Sequence, residues 1–420
     1  MSARDRIESG LRRLVAASWA ERLGLSFAAL VASVLVGGLI VFFSGTAATC
    51  QEPAYGVFGL TSCYNPISVY SVLVTGAFGS ILSDPFNFNV ALTLKETTLL
   101  IFTGLSVAVA FRAGLFNIGS QGQLIFGGLA SAITVLTAGP LLTGVGGFLL
   151  VPLGILAGAL GGAFYGAVPG ALKAYAGANE VITTIMLNFV AEQVAFFVVS
   201  AYFAAPDSQS VETSQIPPAA VLESALFGSG SDFSIVAFVG GLVLVAGLYY
   251  LIKYTAFGFD LRTSGLQPEA ARFGGVDAKR TIVSSMALSG AFAGIGGAVW
   301  VLMVLGRFQT GVPALGFDGI TVSILAGNNP LGVVPAALLF GVLKSGSLAV
   351  QLSTGVPIQL VGVLRGLIIL FVAMPEFFRL LGKRFVTTDR EPAVATDGGE
   401  QTPTEPPSTG GDAGDSGGER

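Results

Sequence analysis

Nine stretches of about twenty residues, each almost free of charge, follow one another along the chain, and each is long enough to cross the roughly 30 Å hydrocarbon core of a bilayer as a helix. They cover residues 25–45, 90–111, 122–139, 146–168, 181–203, 234–252, 281–305, 331–350 and 357–374. Only 11% of the 420 residues are charged and the mean hydropathy is +0.77, against about a quarter charged in a soluble domain. The chain is therefore expected to be all-α and to cross a membrane many times. Its net charge of −4 misleads, because eight acids and two arginines lie from Phe385 onward. The absence of histidine and the presence of two cysteines argue against a metal centre, a Cys-His nucleophile or a histidine proton relay.

Charge placement sets the expected orientation. Arg4, Arg6, Arg12, Arg13 and Arg22 precede the first run, which places the N-terminus in the cytoplasm by the positive-inside rule. No basic residue occurs between Thr46 and Leu94 or between Ala204 and Phe233, whereas Lys253, Arg262, Arg272, Lys279 and Arg280 crowd the loop after the sixth run. Arg379, Lys383, Arg384 and Arg390 follow the ninth run and hold the C-terminus inside. Nine crossings cannot place both ends on one side. The apolar but glycine-broken stretch 313–328 restores the parity as a short or discontinuous tenth span. The expected division is a basic N-terminus over 1–24, a transmembrane domain over 25–376 with an internal loop at 253–280, and a basic then acidic tail over 377–420. The tail lacks large apolar residues and is expected to stay disordered. Segment 66–85 is expected to lie along the outer surface. Cys50 and Cys63 share the first external loop, where a disulfide is permitted and two free thiols are the alternative.

Gly154, Gly158, Gly162, Gly166 and Gly170 recur every fourth residue and form a smooth stripe for close helix packing. Gly290 and Gly294 repeat the spacing in the seventh run. Polar side chains within a span are costly, and each is a site candidate. Thr184, Asn188 and Glu192 fall at i, i+4 and i+8 on one helix face, where they line a hydrated path or merely bond neighbouring helices. The run from Phe111 to Gln123, with Asn117 and Gln121, reads as an irregular turn, either a gating element or an ordinary loop. Asp318, Thr321, Asn328 and Asn329 raise the same choice in the broken span, and Lys344 and Arg365 are read as ion-paired or snorkelling, with a substrate contact as the alternative.

Three blocks carry a family resemblance: FRAGLFNIGSQGQ at 111–123, GANEVITTIMLNFVAE at 177–192 and GFDGITVSILAGNNPLG at 316–332. With the Glu-Ala-Ala-x-x-x-Gly register Glu269, Ala270, Ala271 and Gly275 in the basic loop, the chain resembles permease subunits of ABC importers for branched-chain amino acids, ribose-type sugars and nucleosides, most closely the nucleoside branch. The resemblance covers about residues 90–375. It implies a dimer of ATP-binding subunits docked on the 253–280 loop, a second permease that is like or homologous, an external substrate-binding protein, and membrane lipid as the surroundings. It implies no cofactor, no nucleic-acid partner and no enzymatic activity in this chain, and no phosphate-cradling Gly-x-x-x-x-Gly-Lys-[Ser/Thr] occurs in it. The expected solute path comprises Asn117, Gln121, Thr184, Asn188, Glu192, Asp318 and Thr321. The chain departs from the family where Gln121 stands in place of a glutamate. An ion-coupled secondary transporter, with Glu192 as proton site, would also have broken spans, but it leaves the basic loop without a purpose.

Overall fold

The computed structural model describes residues 19–386, apart from Phe58, Asp207, Ala225 and Ser229. Most of the expected N-terminal segment and the acidic tail beyond 386 lie outside the described residues. The helices are α1 (Trp19–Thr46), α2 (Pro66–Phe78), α3 (Phe88–Arg112), α4 (Ser120–Ala138), α5 (Leu150–Ala176), α6 (Glu180–Val198), α7 (Ile235–Tyr254), α8 (Ala256–Leu266), α9 (Pro268–Phe273), α10 (Ala278–Val299), α11 (Leu315–Leu325), α12 (Pro330–Ser353) and α13 (Ile358–Val386). Asn65, Asn87, Asn179 and Asn329 precede α2, α3, α6 and α12, and their side chains accept the first free N–H groups. Such caps define helix starts within otherwise apolar sequence. One compact body runs as far as Phe377, within α13.

Among the described residues, eight helices are long and apolar enough to cross a membrane; seven follow their expected runs within a few residues, and the fourth continues to Ala176, eight residues past its expected end. The ninth run opens α13, apolar over Ile358–Val372. The expected broken span is α11, at about 1.5 Å per residue roughly 16 Å long and only half a crossing. After a π-helical turn at Trp300–Leu305 that continues α10, an extended lead brings the chain to it. Backbone bonds from Ile216 to Gly306, Thr213 to Phe308 and Thr310 to Val211 pair this lead with the loop before α7, and Arg307 meets Glu212 at 3.2 Å.

Segment 66–85 begins with α2, which packs one face, Val69, Leu73, Gly76 and Ala77, against the bundle. A Cβ built on Gly76 would overlap Ala349 of α12, and the Thr93 hydroxyl of α3 donates to the Ala77 carbonyl at 2.7 Å. Cys50 and Cys63 are joined in a disulfide, with Cα atoms 5.8 Å apart, beside a small hairpin of β1 (Tyr55–Val57) and β2 (Leu60–Ser62).

The centre of the bundle is built on glycine. The α5 stripe faces α10, where a Cβ on Gly162 would overlap the Gly290 carbonyl oxygen and one on Gly166 the Met286 carbonyl oxygen. Gly294 approaches the Gly158 carbonyl equally closely from the other side, and Gly127 of α4 packs on Gly294. Three helix backbones thus meet without side chains between them. Gly290 and Gly294, which the sequence offers only as a repeat of the spacing, are the complementary stripe.

Candidate solute cleft

Helix α3 ends where Gly114 takes a left-handed conformation, φ +68°, and the chain stays irregular until α4 begins at Ser120. Ser106 of α3 shares hydrogen bonds with Ser120 at 3.1 Å and with Ser289 of α10 at 3.2 Å. Ser289 lies well inside α10, roughly 16 Å from its start at about 1.5 Å per residue. Helix α4 therefore starts deep in the bundle. Irregular backbone at that depth survives only when protein or a water-filled cavity satisfies it, and here side chains do so.

Gly119, at the cap of α4, has no side chain to offer, so the cap comes from elsewhere. Asn188 of α6 accepts the Gly122 N–H at 2.8 Å and donates to the Ile118 carbonyl at 3.0 Å. Asn117 accepts the Gly119 N–H at 3.0 Å and donates to Gln123 at 2.8 Å and Ser289 at 2.7 Å. Asn117 is 1% exposed and sits behind the wall instead of on the expected path. Thr184 is buried too, its hydroxyl donating to the Glu180 carbonyl at 2.6 Å while its side chain packs on Gly119.

Gln121 does the corresponding work for α11. Its side-chain oxygen accepts the Gly316 N–H at 2.8 Å, and its NH₂ donates to the Pro313 and Val312 carbonyls at 3.0 and 3.3 Å. The amide thus holds both kinds of free backbone group at the break. A carboxylate could accept from Gly316 but would face the two carbonyls without a proton to donate, so an amide suits this position. Gln121→Glu should lower uptake several-fold in a vesicle assay, because orphaning a buried hydrogen-bonding group costs about 1–3 kcal/mol. Wild-type uptake would mean that the clamp is dispensable.

Between α4, α6 and the lead into α11 lies a cleft of about 200 Å³, lined by Gln121, Ile125, Ile185, Asn188, Phe189, Glu192, Val312, Ala314 and Phe317. Of the expected path residues, Gln121, Asn188 and Glu192 converge here. Asp318 and Thr321 do not line it. The Lys344 ammonium of α12 stands 3.1 Å from Asp318 and 3.0 Å from Glu96 of α3, so Asp318 is held in a three-helix ion cluster. Thr321 is half-buried, a turn further along α11. Glu192 is exposed, and among the described residues its carboxylate makes neither a salt bridge nor a side-chain hydrogen bond. Two helix N-termini, those of α4 and α11, end at this wall, and their partial positive charge favours an anion nearby.

The basic loop after α7 is two short helices. Thr255 caps α8, and Gly275, φ +83°, turns the chain from α9 into Asp277, which caps α10. Glu269, Ala270 and Gly275 are exposed while Ala271 is buried, and Leu266 and Phe273 stand out at 87% and 96% exposure. Two bare apolar side chains thus stand at the tip of this charged loop.

A bundle of long apolar helices with a short helix set among them, a partly open cleft and a helical loop is the build of a membrane permease. Residues 89–373 match the family described as "Branched-chain amino acid transport system / permease component", and the chain belongs to that family. It is a multi-pass protein of the cell membrane. It is 38% identical to the guanosine ABC transporter permease protein NupP of Bacillus subtilis (strain 168), over 77% of this chain and 90% of that one. The nucleoside ABC transporter permease protein NupB of Lactococcus lactis subsp. cremoris is 35% identical over 74% of this chain and 84% of its own length. The glucose ABC transporter permease protein TsgB13 of Haloferax volcanii is 32% identical over 75% and 82%.

Proposed function

We propose that this chain is the membrane-spanning subunit of an ATP-binding-cassette importer that carries nucleosides into the cell, with ATP hydrolysed by separate subunits. The observation that carries the substrate class is the cleft itself. It sets the unpaired Glu192 carboxylate and the Asn188 and Gln121 amides beside the Phe189 and Phe317 rings. A nucleoside needs both halves of that lining, since its flat base packs well on aromatic faces and its vicinal hydroxyls both donate and accept. The names of the NupP and NupB relatives agree with this choice.

The charge pattern supports ten crossings with both ends and the 253–280 loop in the cytoplasm and the Cys50–Cys63 loop outside. In that orientation ATP-binding subunits dock on α8 and α9 at Glu269, Ala270, Ala271 and Gly275, a second permease completes the pathway, and a binding protein delivers solute from outside.

Reconstituted with its ATPase and binding protein in liposomes, the permease should take up labelled guanosine or adenosine only with ATP. Glu192→Gln should cut that uptake about tenfold, the loss expected when a bound hydroxyl loses a charged partner worth roughly 1.5–3 kcal/mol. Uptake of glucose that nucleosides do not inhibit would move the assignment to the sugar branch.

A further inference from the structure

Between the cleft and the docking loop lies one short stretch of chain, residues 112–121, that touches both. At its lower end the contact is backbone on backbone. A Cβ on Gly114 would stand 2.7 Å from the Gly265 carbonyl oxygen of α8, and one on Gly265 would stand 2.7 and 2.8 Å from the Ala113 carbonyl carbon and the Arg112 carbonyl oxygen. No side chain intervenes to absorb a displacement by changing rotamer. Close-packed interiors pass strain on instead of dissipating it.

The same stretch grips α11 at both ends. The Arg112 Nε donates to the Asn328 carbonyl at 2.8 Å, beyond the C-terminus of α11, where Asn328 holds a left-handed turn at φ +56°. Gln121 holds the N-terminus at Gly316, as described above, and Asn188 joins residues 118 and 122 to α6. Both walls of the cleft are therefore fastened to a stretch whose first residues abut α8.

We propose that residues 112–121 are the transmission element of the transporter, with Gly114 and Gly265 as its input and Arg112 and Gln121 as positioning residues that carry α11 with it. A shift of α8 under the ATPase subunits displaces the 113–114 turn, and that turn moves the first residues of α4 and both ends of α11 together. This inference rests on the reading of the 253–280 loop as the ATPase dock.

The test uses the assembled transporter in liposomes and reads three quantities: ATPase subunits retained on purification, ATP hydrolysed, and nucleoside moved per ATP. Gly265→Ala inserts a methyl group between α8 and the turn, and Arg112→Gln releases the far end of α11. Both should retain the ATPase subunits and hydrolyse ATP while moving about fivefold less nucleoside per ATP, the lower end of typical coupling effects. Gly247→Ala, where a Cβ meets open space in α7, should leave the ratio unchanged. A wild-type ratio in both variants overturns the proposal, and so does a parallel fall in hydrolysis and transport with loss of assembled complex, the signature of a merely structural contact. Glu269→Arg separates the underlying reading. It should release the ATPase subunits, and if they stay bound and active the docking assignment fails, whatever the other two variants do.

Discussion

Gly162→Leu should leave almost no folded permease in the membrane. The new Cβ would overlap the Gly290 carbonyl oxygen and stand 2.7 and 2.9 Å from the Cα and N of Gly294. Those obstacles are backbone, so no rotamer change relieves them and α5 must move away from α10. Separation there also loosens Gly158, Gly166 and Gly127, which share the junction. The cost should exceed the roughly 1–3 kcal/mol of ordinary overpacking. Gly240→Leu in α7, where a Cβ meets nothing within 4 Å, adds the same hydrophobicity without the clash and is the control. Size-exclusion profiles of detergent-extracted protein should show an aggregated or missing peak for Gly162→Leu and a normal one for Gly240→Leu. A normal peak for both would mean that the glycine junction does not hold the bundle.

The second large effect is expected at Asn188. Alanine there removes the acceptor for the Gly122 N–H and the donor for the Ile118 carbonyl, leaving two backbone groups orphaned at about 1–3 kcal/mol each. Uptake should fall at least about tenfold, and thermal stability in detergent should fall with it. Glu192→Gln behaves differently because it breaks no bond within the described protein, so its uptake should fall at unchanged stability. Asn188→Asp, which keeps the acceptor and loses the donor, should be intermediate. Wild-type stability in Asn188→Ala would show that water replaces the cap at no cost and that α4 does not depend on α6 for its start.

The long helices are legible because twenty apolar residues have few alternatives in a bilayer, and hydropathy locates most of them to within a few residues, the fourth excepted, which runs on to Ala176. The partnerships are not. The helical face of Thr184, Asn188 and Glu192 is plain from spacing, but only the folded chain separates Glu192, open to the cleft, from Asn188, which caps another helix and lines the cleft as well, and from Thr184, which packs on Gly119. Asn117 looks identical to Asn188 in sequence and ends up behind the wall, because the irregular turn points its amide at Ser289. Glu96 reads in sequence as a charge within an apolar run, and its partner, Lys344, lies on α12, far along the chain. The amide at Gln121 stands out in sequence, but only the folded chain sets both of its polar atoms against the backbone break before α11.

The shortness of α11 bears on how the protein is made. Segments enter the bilayer one after another according to their own hydrophobicity, and an eleven-residue helix carrying Asp318 is too short to be taken up as a span by itself. Its polar ends are satisfied by Arg112 and Gln121 and its charge by Lys344, which belongs to the helix that follows it in the chain. In the ten-crossing topology proposed above, helix α11 therefore gains its charge partner only after α12 has been synthesised.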